Sequence, residues 1–395
     1  MFYYVIIFSN NNIILYNLNK VYGFLKNLNI FKGCCSMANI NDYLDWRGDI
    51  TLEEKGLNEV DNMILSRFSY LPFSKISLGN DETVGSIMEK FKNFQQEEFN
   101  IAGDFPLSQK LLKYVRFRNL RVSDYYSIVD NEVEKQFAAI CVHLPNNEIY
   151  VSYCGTDNTI VGWKEDFNLS FMTHIPAQLE GVKYLKRVAS KYPEKNFHIG
   201  GHSKGGNVAV YSAVFAGNDI QDRIIDVTNH DGPGFDESII ELSEYKRILN
   251  KIFTYIPQSS IIGRLLEHKE KYKIVESTEK GIMQHDIYSW QVMGSKIIQS
   301  QELTNGSDFI NQTLCNWLKN TSREQRKQVI DVIYSLIITT DATTCREFSK
   351  SRFKNINEVL KQYKTLDEED KKMISEVVFA LVNSAKDSIK TEFNM

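Results

Sequence analysis

Apolar positions along the chain change their spacing twice. From Leu52 to Arg118 they recur at helical intervals: Leu52, Val60, Met63, Ile64 and Phe68 form one stripe, and Val84, Ile87, Met88, Phe91 and Phe94 a second. A third helix is expected from Phe105 to Arg118, with Pro106 suited to its first turn. Pro72 and the stretch from Leu78 to Asp81 mark the loop between the first two stripes. Two strand-like runs follow, from Tyr125 to Val129 and from Gln136 to His143, then a Pro145-Asn146-Asn147 turn and a third run from Glu148 to Tyr153. Trp163, Asp166 and Phe167 then lead into a loop with Pro176. Beyond it helices and strands alternate: a helix from Ala177 to Tyr192, a strand from Phe197 to Gly200, a helix from Asn207 and a strand from Ile224 to Asn229. A helix from Asp236 to Leu249 and strands from Ile252 to Ile256 and Tyr272 to Glu276 complete this region. Strands separated by helices imply parallel pairing with right-handed crossovers, hence an α/β fold with a mostly parallel sheet. From Gln301 the pattern is helical again, with Phe309, Leu314, Trp317 and Leu318 on one helix, Val329 to Ile337 on the next, and a last helix from about Leu366 to Ile389. The expected organisation is a helical cap region over residues 37–120, an α/β core over 121–300 and a helical appendage over 301–395.

Residues 1–36 stand apart. Met1 to Phe8 and Ile13 to Tyr16 are apolar, but Ser9 to Asn12 interrupt them, no positive charge precedes Lys20, and no small-residue cleavage site follows. Each stretch is too short to span a bilayer. Composition turns from Asn- and Ile-rich to ordinary at Met37, so an N-terminal extension with an alternative start at Met37 is expected, a weak interfacial helix being the alternative.

Composition narrows the function classes. With 395 residues, 43% hydrophobic and 12% aromatic, the chain can bury a large core. A formal net charge of -4 without any Lys/Arg block argues against a nucleic-acid partner, and no stable membrane insertion is expected. Cys34, Cys35, Cys141, Cys154, Cys315 and Cys345 show no C-x-x-C spacing, which favours reduced thiols and a cytoplasmic location over disulfides or a zinc site.

The chemistry is concentrated at Gly201-His202-Ser203-Lys204-Gly205-Gly206, a G-x-S-x-G turn between a buried strand end and an Ala-rich helix. Such a turn lifts a serine hydroxyl out of the sheet, and the helix start behind it offers unpaired N–H groups to a developing oxyanion. A serine needs an imidazole to take its proton and an acceptor to orient that imidazole. Seven histidines are available: His143, His174, His198, His202, His230, His268 and His285. The order serine, acid, histidine kept by α/β-hydrolases favours His285, in Gly281-Ile282-Met283-Gln284-His285-Asp286. Asp231, in His230-Asp231-Gly232-Pro233-Gly234 at a strand end, is the best placed acid; Asp236 is the reserve and Asp226 lies inside its strand. After the following strand the chain reads Pro257-Gln258-Ser259-Ser260 and offers no carboxylate. The N–H of Lys204 is the first candidate oxyanion donor, and Thr156, after the strand ending at Tyr153, the second. No metal or organic cofactor is required by this arrangement.

At Tyr153-Cys154-Gly155-Thr156-Asp157, Trp163, Asp166 and Gly201 to Gly206 the chain resembles the class 3, fungal-type lipase-like α/β-hydrolases. It is more closely similar to a bacterial family of lipase-fold proteins, often called Mbeg-like, through Asn39-Ile40, Tyr43-Leu44, Trp46-Arg47-Gly48-Asp49, Asp231 to Phe235, Pro257 to Ser260 and Gln284-His285-Asp286. The resemblance implies an α/β-hydrolase fold and a triad of Ser203, Asp231 and His285, and leaves the substrate open. Two positions depart from the lipase pattern. Cys154 stands where an arginine is frequent, and Lys204 where an apolar residue is usual, its cation either solvated or favouring an anionic substrate. The expected function is a serine hydrolase of small-molecule or lipid-like acyl substrates; a catalytically silent scaffold of the same fold is the alternative.

Overall fold

The computed structural model describes residues 4–9, 12–17, 38–79, 82–157, 159–340, 342, 344, 347–348 and 352–376. The chain divides into two units, one drawn from residues 37–157 and 173–311, the other from 1–36, 158–172 and 312–395. At the N-terminus the two apolar stretches are strands, β1 (Tyr4–Ser9) and β2 (Asn12–Asn17), paired antiparallel. β-branched and aromatic residues favour this over an interfacial helix. The expected start at Met37 lies outside the described residues.

In the larger unit, helices Ile40–Arg47 and Glu59–Phe68 each begin at an asparagine, Asn39 and Asn58, whose side chain accepts a first-turn N–H while Asp42 or Asp61 returns the bond. Short β3 (Glu82–Thr83) follows in a stretch whose sequence shows no strand pattern, then helix Val84–Lys90. The helix expected from Phe105 to Arg118 is split: Asp104–Lys113 and Val115–Arg118 meet at Tyr114, which is extended at φ -100° and ψ 138°. The break directs Arg116 inward, where its Nε donates to Asp61 Oδ1 at 2.7 Å, Nη1 donates to Ile50 O at 3.0 Å, and both groups are fully buried.

The sheet has eight strands in strict chain order, β3 followed by β4 (Arg121–Asp130), β5 (Lys135–Leu144), β6 (Glu148–Tyr153), β7 (Asn196–His202), β8 (Ile224–His230), β9 (Ile252–Pro257) and β10 (Tyr272–Val275). Strands β3 to β6 pair antiparallel and β6 to β10 parallel. Asn146 and Asn147, both at positive φ, make the tight turn between β5 and β6. Side chains alternate across β6. Tyr150 and Ser152 face helix Glu59–Phe68, with Ser152 Oγ donating to Leu65 O at 2.6 Å. Tyr153 faces helix Pro176–Lys191, donating to Gly181 O at 3.0 Å. The helical segment before β4 therefore covers one face of the sheet, and helices Pro176–Lys191 and Lys204–Val214 the other. The expected helix from Asp236 to Leu249 is two, Glu237–Ile240 and Ser243–Ile248, separated where Leu242 is extended. A small antiparallel hairpin, β11 (Val292–Met293) with β12 (Lys296–Ile297), follows the sheet.

In the smaller unit, Trp163, Asp166 and Phe167 lie on helix Ile160–Asn168, started by the Thr159 hydroxyl accepting from Gly162 N at 3.1 Å. Its Lys164 is buried and donates to Asp331 at 2.5 Å on helix Arg323–Ile338 and to Asn168 at 3.0 Å. Val329 and Ile374 centre a small core with Trp317, Val332 and Tyr363. The helix expected from Leu366 is seen over 368–376, its remainder lying outside the described residues. No described helix is long and apolar enough to cross a membrane.

Candidate active site

Strand β7 runs into Ser203, which sits at φ 58° and ψ -135° immediately before helix Lys204–Val214. A side chain in that region costs about 1–3 kcal/mol, so the surrounding backbone must hold it. Ser203 N donates to His230 O at 2.9 Å on the neighbouring strand, and Ser203 O accepts from Gly206 N at 2.9 Å. The turn closes only because its flanks are glycines: a Cβ on Gly201 would lie 2.3 Å from the backbone of Gly205, and one on Gly205 2.3 Å from Tyr153 O.

The other two groups arrive from separate strand ends. Asp231 follows β8 at φ 53°, fully buried, with its N–H donating to Tyr255 O at 2.8 Å. His285 comes from the short helical turn Gly281–His285 after β10. Its Nε2 lies 2.9 Å from Ser203 Oγ and its Nδ1 2.6 Å from Asp231 Oδ2. The second carboxylate oxygen accepts from Ser260 Oγ at 2.5 Å and Gly263 N at 3.1 Å. Ser203, Asp231 and His285 thus form one continuous hydrogen-bonded chain. Asp236 instead caps helix Glu237–Ile240, and Asp226 faces His198.

The expected oxyanion elements lie against the elbow. A Cβ on Gly155 would stand 2.6 Å from His202 O and 3.0 Å from Gly205 N, so the turn after β6 touches the start of the helix, and Thr156 is the next residue. Lys204 supplies the first N–H of that helix by position. Its ammonium is not in solvent. It is buried and donates to Gln136 Oε1 at 2.7 Å and Gln136 O at 3.0 Å. Cys154 packs with Tyr70 and Ala138, and burial pushes its thiol well above the ordinary range. Among the described residues no group of His, Cys, Asp and Glu is arranged to hold a metal ion.

A family model described as Mbeg1-like matches residues 111–335, a span that includes Ser203, Asp231 and His285. The chain belongs to the Mbeg1-like family. Among solved structures, this Mbeg1-like protein is similar to Lip2 lipase from Yarrowia lipolytica, with 12% identity, a TM-score of 0.37, and coverage of 64% of this chain and 87% of that one. Lipase from Rhizopus microsporus var. chinensis gives 13% identity, a TM-score of 0.33, and coverage of 50% and 72%. The Rhizomucor miehei lipase propeptide complex gives 16% identity, a TM-score of 0.31, and coverage of 40% of this chain and 57% of that one. No curated protein matches. The α/β-hydrolase fold is carried by the sheet itself: parallel strands, flanking helices, and a strained serine at a strand-to-helix turn.

Several supporting residues of this Mbeg1-like protein are absent from the candidates that the sequence offers. Asn207, one turn into the elbow helix, donates to Pro233 O and Gly234 O at 3.0 and 2.9 Å and accepts from Gln178 at 2.8 Å, fixing the loop behind Asp231. Tyr70 OH donates to His202 O at 2.7 Å. Arg67 lies 3.7 Å over the Tyr70 ring and pairs with Asp104 at 2.7 Å. Long-range partners of this kind are invisible to spacing, although the apolar context of Asn207 in an Ala-rich helix is a hint that a polar group is buried there.

Proposed function

We propose that this chain is a serine hydrolase acting on ester, thioester or lipid-like acyl bonds. Ser203 Oγ attacks the acyl carbon while His285 Nε2 takes its proton and returns it to the leaving group. Asp231 holds the imidazole by its Nδ1–H and stabilises the imidazolium that forms. The N–H groups of Lys204 and Thr156 are the assigned donors to the tetrahedral oxyanion. Water, deprotonated by the same imidazole, then releases the acyl group. The observation that carries this reading is the 2.9 Å and 2.6 Å sequence from Ser203 through His285 to Asp231, within the reach that general-base catalysis requires. A reducing, cytoplasmic compartment is the proposed location, supported by Cys141 and Cys154 being buried as free thiols. A fluorophosphonate probe is expected to label wild type and to leave Ser203→Ala unlabelled; equal labelling of the two ends the proposal, and failure to label wild type returns the fold to the silent scaffold reading.

A further inference from the structure

The residue between Gly201 and Ser203 does something that its motif position does not announce. The His202 side chain is buried, and its Nε2 lies 2.7 Å from the backbone carbonyl of His285. A carbonyl only accepts, so Nε2 carries the proton. In the neutral ring Nδ1 is then bare, and it has no hydrogen-bond partner among the described residues. The ring lies 4.7 Å from that of His285, tilted by 34°. Burial, with the nearby His285 and Arg67, drives the His202 pKa well below the ordinary histidine range, opposed only by the bond to the His285 carbonyl.

We infer that His202 is a positioning residue: it fixes the main chain of the general base from the position next to the nucleophile, so that one element sets both ends of the Ser203–His285 hydrogen bond. This rests on the hydrolase reading. Two further contacts support it. Tyr70 OH ties the His202 carbonyl, and Tyr70 is backed by Arg67, whose partner Asp104 also accepts from Tyr288 OH at 2.9 Å, three residues beyond the base. The elbow and the histidine loop are therefore referred to a common buried ion pair, Arg67 with Asp104. Neutrality is part of the role. When His285 becomes imidazolium, a bare-Nδ1 ring beside it adds a polarisable face without a second positive charge, whereas a protonated neighbour would resist that proton transfer.

The test compares His202→Phe, which keeps a flat ring and loses the donor, with His202→Gln, whose amide N–H reaches the same distance. Two readouts are taken: the rate of fluorophosphonate labelling, and the low-field proton resonance of His285 Nδ1–H, assigned by its loss in Asp231→Asn. His202→Phe is expected to slow labelling on the order of 100-fold, as for a misplaced reacting group, and to broaden the resonance. His202→Gln is expected to restore both to within a few fold. Wild-type behaviour of His202→Phe, or equal impairment of a folded His202→Gln, overturns the inference. Should wild type resist the probe, the hydrolase reading fails by itself and the resonance still judges the tie. Should His202→Phe not fold, nitrogen shifts of wild-type His202 decide: a neutral Nε2–H ring from pH 5 to 8 supports the inference, and a charged or Nδ1–H ring overturns it.

Discussion

Asp231 commits its two carboxylate oxygens in opposite directions, one to His285 Nδ1 and the other to Ser260 Oγ and Gly263 N. Its carboxylate is thereby fixed from two sides, by the imidazole and by the segment that follows β9. The sequence offers Ser259-Ser260 after β9 where a carboxylate is sought, and that position supplies a hydroxyl to the carboxylate of the preceding strand. Ser260→Ala is therefore expected to lower kcat/KM roughly 10-fold with KM little changed, the cost of one hydrogen bond to a charged group. Acyl-ester turnover across a substrate series checks it, and an unchanged kcat/KM would remove Ser260 from the positioning set. At this scale the grouping of Ser203, Asp231 and His285 is traceable to the G-x-S-x-G turn, to the strand end before Asp231, and to the chain order that singles out His285. The partner of Lys204 is not legible, because whether an ammonium points to solvent or back into the sheet depends on Gln136, 68 residues away.

Of the helices before β4, Glu59–Phe68 and Val84–Lys90 are legible as apolar stripes, whereas Ile40–Arg47 precedes the first stripe and Leu52 falls in a turn. Their mutual packing does not follow, since two buried ion pairs link them across long separations: Arg67 with Asp104, and Arg116 with Asp61. The second pair accompanies the break of the expected Phe105 to Arg118 helix at Tyr114, which helical periodicity does not foresee because Leu107, Leu111 and Phe117 are buried on either side of it. Arg116 also donates to the carbonyls of Ile50, Lys55 and Gly56, so one guanidinium closes the loop between the first two helices. Removing one partner of a buried pair strands the other charge. Asp61→Asn is expected to destabilise the larger unit by about 3–5 kcal/mol in urea unfolding. The double change Asp61→Leu with Arg116→Met should recover much of that loss, because it removes both charges; a loss equal to the single variant's would show that the backbone contacts of Arg116 matter more.

Over the whole molecule the alternation of strands and helices made the sheet readable, and β6 to β10 run parallel as such spacing requires. The association of residues 158–172 with 312–395 has no counterpart in periodicity, since it depends on a buried lysine, Lys164, meeting Asp331. Two buried clusters then give stability a pH dependence of opposite sign. At the start of the parallel strands, His198 lies between Asp226 at 2.8 Å and Glu148 at 3.1 Å. Burial lowers its pKa, but the two carboxylates outweigh it and carry it above the ordinary value. A raised folded pKa means that this contribution is complete below about pH 6.5 and is lost as pH rises through the folded value. Glu270 behaves inversely: burial opposes ionisation, but His268, Thr254 and Tyr245 bring its pKa down to about 2. Its contribution is present above the unfolded value of 4.5 and disappears as pH falls through about 2. The difference corresponds to something on the order of 3 kcal/mol. Urea midpoints should therefore fall between pH 5 and 2 in wild type, and the gap between wild type and Glu270→Gln should narrow over that interval. On the alkaline side, the gap between wild type and His198→Gln should narrow as pH rises above 6.5. A Glu270→Gln gap that stays constant from pH 6 to 2 would mean that the carboxylate is held by packing and not by its charge.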